Sequence, residues 1–208
     1  MKRILALVAM TAVMIACGLV LPTVTRAQGG EGNKGEGKKE DGTIKEVYTG
    51  TIINMTGRSA SIGFTLELTA KTNDEEALKY LNILASGGQD DLLKAIRKNN
   101  LGFIAATGQT RRDLLVVRES QVNGQRRIVA AFERWQKFFE LRSGARSTDY
   151  PFSIIEIIFD AKGRGTGTFI GLAEVKMKMD KKTEQWRLEI ENFGSFPSKV
   201  MGVMRRNK

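Results

Sequence analysis

Apolar and polar residues alternate with a period of two in several stretches between residues 44 and 190, and a period near 3.6 replaces it only over residues 72–100. Residues 44–54 and 61–69 are rich in Ile, Thr, Val, Phe and Leu around Thr56-Gly57-Arg58-Ser59, which predicts a hairpin. Thr72-Asn73-Asp74-Glu75 then has capping-box spacing, and Ala77, Leu78, Leu81, Leu84 and Ala85 follow at helical intervals until Gly87-Gly88 interrupts them. A second, shorter helix is expected from Asp90 to Asn99-Asn100, with Leu92, Leu93 and Ile96 facing inward. Residues 114–121 and 126–135 flank Asn123-Gly124, a pair that tolerates the positive φ of a type I′ hairpin turn. Residues 152–159 are apolar on both faces apart from Ser153 and Glu156, the pattern of a central strand. Val175, Met177 and Met179 alternate with Glu174, Lys176 and Lys178, and Trp186, Leu188 and Ile190 with Arg187, Glu189 and Glu191, so each strand has one wet face. Lys176 and Lys178 are then placed to pair with Glu189 and Glu191 across the ladder. The fold class is α+β: a strongly bent, mostly antiparallel sheet of about eight strands with a two-helix insertion. Such a sheet is either a partly closed barrel or a two-layer sheet under the helices, and the pattern does not separate these.

The first apolar run differs in kind. Lys2 and Arg3 precede an uninterrupted apolar stretch over residues 4–21, Pro22 breaks it, and Thr25-Arg26-Ala27 offers small residues for cleavage. Residues 1–27 read as a signal peptide, which places the chain outside the cytoplasm, secreted or periplasmic. Left uncut, a run of about 18 residues is long enough to span a bilayer, so a membrane anchor through residues 4–21 is the alternative. A lipoprotein fits less well, because Met14-Ile15-Ala16 before Cys17 is a poor lipobox. Residues 28–42, QGGEGNKGEGKKEDG, carry no apolar side chain to offset the entropy of ordering and read as a tether. A single β-rich domain is expected over residues 43–208.

Composition narrows the chemistry. The chain has 33 Lys and Arg against 23 Asp and Glu, a net charge of +10, one Cys and no His. A Ser-His-Asp triad, a Cys-His dyad, a His-ligated metal site and an internal disulfide are all excluded. Cleavage after Ala27 removes three basic residues, no acid and the only cysteine, leaving +7 and a fold that depends on its core alone. No cofactor or metal is expected.

The segments TNDEEA (72–77), GGQDDLLKAI (87–96), RSTDYPF (146–152), GRGTG (163–167) and EIENFGSFP (189–197) resemble an uncharacterised group of secreted bacterial proteins with no assigned activity. The likeness extends over most of residues 48–206. It implies export and a shared fold, not a chemistry.

Candidate site residues were weighed on chemistry. The Gly163-Arg164-Gly165-Thr166-Gly167 run lacks the following helix whose N-terminal amides would meet a phosphate, so a hairpin loop is expected. Arg142, Arg146, Asp149 and Tyr150 crowd a stretch that ends at Pro151, either an anion site or a rigid corner with a cis Tyr150-Pro151 bond. Glu156 interrupts the most apolar strand; unpartnered, it would be a general acid, and with an Arg of a neighbouring strand it is a structural ion pair. Trp135, Phe138, Phe139 and Tyr150, with Phe152, either line a pocket for a small apolar ligand or close one end of a core. The pairs Arg111-Arg112, Arg126-Arg127 and Arg205-Arg206 are scattered and accompany no nucleic-acid-binding motif, so an anionic envelope surface is a more natural partner than a specific nucleic acid. The reading that needs fewest special residues is a non-enzymatic binding domain of unknown ligand. Its alternatives are a carboxylate-based hydrolase centred on Glu156 and a structural envelope-associated protein.

Overall fold

The computed structural model describes residues 45–54, 61–135, 149–180, 185–193 and 196–206, all within the unit Thr43–Lys208. The expected signal peptide and tether, together with Phe138, Phe139, Arg142 and Arg146, lie outside the described residues. The strands are β1 (Glu46–Ile53), β2 (Ser61–Leu68), β3 (Gly102–Ala106), β4 (Arg112–Val122), β5 (Gln125–Glu133), β6 (Phe152–Phe159), β7 (Gly165–Asp180), β8 (Gln185–Asn192) and β9 (Ser198–Arg205); the helix is α1 (Asp74–Ile96). All strand pairs are antiparallel in the order β6-β5-β4-β3-β2-β1-β9-β7-β8, and β6 also pairs with β7. That last pairing closes eight strands into a full barrel and leaves β8 outside it.

β7 serves two structures in turn. Gly165 to Phe169 pair with both β6 and β9 inside the barrel wall, whereas Ala173 to Asp180 run on beside β8 as a two-stranded ribbon. The wall closes tightly where β7 begins. A Cβ on Gly167 would lie 1.8 Å from the Glu156 carbonyl oxygen, and one on Gly165 would lie 2.6 Å from Ile157 Cγ2. The Gly-Arg-Gly-Thr-Gly run is therefore a hairpin turn followed by strand: Gly163 supplies a positive φ, Gly165 makes room for core side chains and Gly167 lets the β6 backbone approach. At the neighbouring β4–β5 hairpin Asn123 (φ 52°) and Gly124 (φ 76°) both take the left-handed conformation, as their pairing predicts.

The barrel interior is filled. Phe64, Leu66, Leu68, Ile104, Leu114, Val117, Ile128, Phe132, Ile155, Ile157, Val200 and Val203 are each at most 4% exposed and form one apolar cluster with Tyr48, Phe159 and Phe169. A second cluster lies outside the wall, where Leu84, Leu92, Leu93 and Ile96 of α1 cover Leu115, Phe152, Ile154, Ile170, Ala173 and Val175. β6 is apolar on both faces for this reason: Ile155, Ile157 and Phe159 point into the barrel, and Phe152 and Ile154 point at the helix.

The helical region α1 is interrupted where Gly87-Gly88 was expected to interrupt it: Gly88 leaves the helical backbone (φ 74°, ψ −171°), and a second helical segment follows at once across the kink with no loop between them. Its capping box is one residue later than the spacing suggested: Asn73 Oδ1 accepts from the Glu76 amide, and Glu76 Oε2 accepts from the Asn73 amide. Thr72 is used elsewhere. β3 pairs with β4 only at Phe103–Asp113 and Ile104–Arg112, and beyond that point the Thr72 amide donates to the Val117 carbonyl while its hydroxyl accepts from the Val117 amide. Asn99 Nδ2 donates to the Leu115 carbonyl, so the crossover supplies the hydrogen bonds that a longer β3 would have made. The kink has a matching use, because Gln89 Oε1 accepts from the Val175 amide and its Nε2 donates to the Asp149 carbonyl. Gln89 thus caps β7 where the β6 ladder stops. Among the described residues no helix is long and apolar enough to cross a membrane.

Candidate functional site

Glu156 sits on the outer face of β6, just past the cover of α1, and is not isolated among apolar side chains. Arg127 of β5 donates through Nε to Glu156 Oε1 at 2.5 Å, and Thr168 of β7 donates to Oε2 at 3.3 Å. The cationic partner expected for a buried carboxylate is therefore present, two residues along the neighbouring ladder from the directly opposite Val129. Both carboxylate oxygens of Glu156 are thus engaged by protein donors.

The aromatic residues of the 135–152 span divide among separate packing groups. Trp135 closes the barrel end on Phe132 and Phe169, with ring centroids 5.0 and 5.7 Å away, and its indole donates to the Thr110 carbonyl at 2.7 Å. Tyr150 rests on Phe193 at 5.0 Å, and Phe152 belongs to the cluster beneath α1. Asp149 is exposed and contributes its carbonyl to Gln89. No described peptide bond is cis, so the Tyr150-Pro151 corner is held by the neighbouring strand, where the Arg134 amide donates to the Pro151 carbonyl, and not by an isomer.

A dense polar constellation among the described residues lies at the other end of the barrel, where the sequence marks Arg126 and Arg205 only as members of basic pairs. Arg126, at the start of β5, bridges two carboxylates: Nε and NH2 donate to the two oxygens of Glu119, each at 2.9 Å, and NH2 also donates to Glu46 Oε2 at 2.7 Å. Its NH1 donates to the Tyr48 hydroxyl, which in turn donates to Glu46. Lys71 pairs with Glu119 from the strand-to-helix crossover, and Arg205 of β9 stands 3.8 Å from Glu46. An open groove of about 460 Å³ adjoins the network, lined by Tyr48, Arg126, Phe159, Asp160 and Arg205 among others.

The electrostatics of this network are those of a lock. Hydrogen bonds from Arg126 and then Lys71 outweigh desolvation and hold the Glu119 carboxyl down at about 2. Burial pushes Glu46 up, yet hydrogen bonds from Arg126 and Tyr48 more than reverse it and leave Glu46 below its ordinary value. Burial raises the Tyr48 phenol, which keeps its proton, and the bond to Glu119 foremost raises Arg126. None of the shifted groups is moved toward neutrality, as a general acid or base requires. Arg126 also has Nε, NH1 and NH2 each engaged by a protein acceptor, which leaves it poorly placed to grip an anion.

The basic pairs separate in the same manner. Arg126 and Arg127 are neighbours on a strand and so serve opposite faces, one toward Glu46 and Glu119, the other toward Glu156. Arg111 lies over the Phe103 ring at 3.8 Å. Among the described residues no group of three or more His, Cys, Asp or Glu side chains is arranged to hold a metal ion.

The signal for the Arg126 network was weak because its members, Glu46, Lys71, Glu119, Arg126 and Arg205, are brought together by barrel closure and not by any local spacing. No protein-family model matches the chain, and no curated protein or solved structure of significant similarity was found.

Proposed function

We propose that the protein is an exported, non-enzymatic binding domain whose partner contacts lie on the outside of a filled barrel. The observation that carries this reading is the interior itself. Tyr48, Phe64, Phe132, Ile155 and Ile157 are at most 4% exposed inside the wall, so the space that a barrel of this size offers to one small ligand is occupied by its own side chains. The wall-side carboxylates Glu46, Glu119 and Glu156 are each bonded to an arginine, a stabilising arrangement and not a reactive one. Export rests on the N-terminal pattern of residues 1–27.

The test has two readouts on the purified chain. Titration with an apolar fluorescent probe such as N-phenyl-1-naphthylamine should give no saturable one-to-one binding that quenches Trp135, and a screen against glycosides and esters should give no turnover lost in Glu156→Gln. Saturable interior binding would make it a carrier; Glu156-dependent turnover would make it a hydrolase. Intact mass of the exported species should begin at Gln28.

A further inference from the structure

We propose that two copies of this chain associate through β8, edge to edge and antiparallel, with Leu188 opposite the partner's Leu188. The inference rests on the partner-binding reading and names the partner.

Among the described residues β8 pairs with β7 alone, and no described strand takes its other edge. Which backbone groups face that edge follows from one hydrogen bond. The Phe193 amide donates to the Leu172 carbonyl at 2.9 Å, directly beyond the Ala173–Asn192 pair. Hydrogen-bonded pairs alternate along an antiparallel ladder, so the odd-numbered residues of β8 bond to β7. Trp186, Leu188 and Ile190 therefore direct their amides and carbonyls outward.

The side chains of the same three residues form one face with their partners Met179, Met177 and Val175. Packing fades along this face: Val175 is 7% exposed at the base of the ribbon, whereas Leu188 is 44%, Met179 46% and Trp186 51% exposed toward its tip. The opposite face is covered with ion pairs, Lys178 to Glu189, Lys176 to Glu191 and Arg187 to Asp180. An open edge with an apolar face is a template for strand addition.

The charges on β8 select its own sequence as the added strand, in one register. With Leu188 on the two-fold axis, Trp186 meets the partner's Ile190 and Arg187 meets the partner's Glu189, and both pairs occur twice by symmetry. Three outward-facing pairs then exchange two backbone hydrogen bonds each. The registers on either side place Glu189 against the partner's Glu189, or Arg187 against the partner's Arg187, and like charges directly opposite are destabilising. The edge is self-complementary only where its apolar residues also align.

Sedimentation velocity of the purified chain from about 1 to 100 µM should show a reversible monomer–dimer equilibrium. Arg187→Glu and Glu189→Arg should each raise the dimer dissociation constant at least tenfold, because each places like charges across the axis. Mixed one to one, the two variants should form a heterodimer as tight as the native dimer. Leu188→Pro should abolish the dimer and keep the β7–β8 ladder, since the amide it removes faces outward. A chain that stays monomeric at 100 µM overturns the proposal, including one whose Trp186 instead inserts into anionic vesicles; so does a mixture no tighter than its components. These failures are read from mass, and those of the functional reading from turnover or interior probe binding, so the two are distinguishable.

Discussion

Replacing glycines one at a time along residues 163–171 should trace how tightly the barrel is closed. A Cβ on Gly167 falls 1.8 Å from the Glu156 carbonyl oxygen, 2.8 Å from its carbon and 3.0 Å from Ile157 Cα. A carbon–oxygen contact needs about 3.3 Å, and the obstacle is backbone in a strand that is hydrogen-bonded on both sides. Gly167→Ala must therefore push β6 and β7 apart where the wall shuts, at a cost toward or above the upper end of overpacking, about 3 kcal/mol. For a domain of this size that lowers Tm by roughly 6–12 °C. Gly165→Ala meets the buried, stiff side chains of Ile157 (Cγ2 at 2.6 Å) and Val203 (Cβ at 2.9 Å), a clash less severe than one with backbone at 1.8 Å, and should cost about 1–3 kcal/mol. At Gly163 nothing lies within 4 Å and only the positive φ of 74° resists, so about 1 kcal/mol is expected. Gly171 has only Phe169, at 3.4 Å, nearby, and alanine there should be neutral or stabilise by up to about 0.5–1 kcal/mol. Urea denaturation of the four variants gives the order directly. If Gly167→Ala were no less stable than Gly163→Ala, the close approach of β7 to β6 would be wrong, and with it the closed barrel.

Glu156→Gln keeps one acceptor oxygen for Arg127 but turns an NH2 toward the Thr168 hydroxyl and loses the charge, and should destabilise by about 0.5–1.5 kcal/mol in denaturant. Gln89→Ala should cost about 1–2 kcal/mol and, more specifically, speed hydrogen exchange at the Val175 amide, whose only strand-side acceptor it removes. Glu119 has its carboxyl held at about 2, below the ordinary 4.5, so its contribution is fully present above about pH 4.5 and is lost as pH falls toward 2. Melts between pH 6 and 2 should show that loss, and Glu119→Gln should flatten it in this window.

What could be read from the chain and what could not divides along a physical line. β6 was legible because a strand squeezed between a filled barrel and a helix is apolar on both faces, and the β7–β8 register was legible because Lys176 and Lys178 answer Glu189 and Glu191. The hairpin at Asn123-Gly124 was fixed by local backbone chemistry. β3, five residues long, and β9, interrupted by Gly202, leave too short an alternation to register. The break at Gly88 was legible, but not that the second helical segment follows without a loop, because Gln89 is held there by β7, a contact 86 residues long in sequence. Glu156 was suspected for the right reason, a charge on an apolar strand, but sequence alone does not say which arginine waits opposite. The Arg126 network was invisible because Glu46 and Arg126 are 80 residues apart and meet only once the wall is shut.

That wall has its first strand beside its last: β1 pairs with β9, Tyr48 opposite Arg205. The two partners stand roughly 160 residues apart, so this pairing carries the largest single loop-closure cost in the fold, and folding should be slow for its size. At about 5–20 residues per second, β1 emerges from the ribosome roughly 8–30 s before β9 exists to receive it. Throughout that interval the nascent chain has no way to complete its barrel. Under the export proposed above, such a delay would leave the polypeptide threadable until β9 is made.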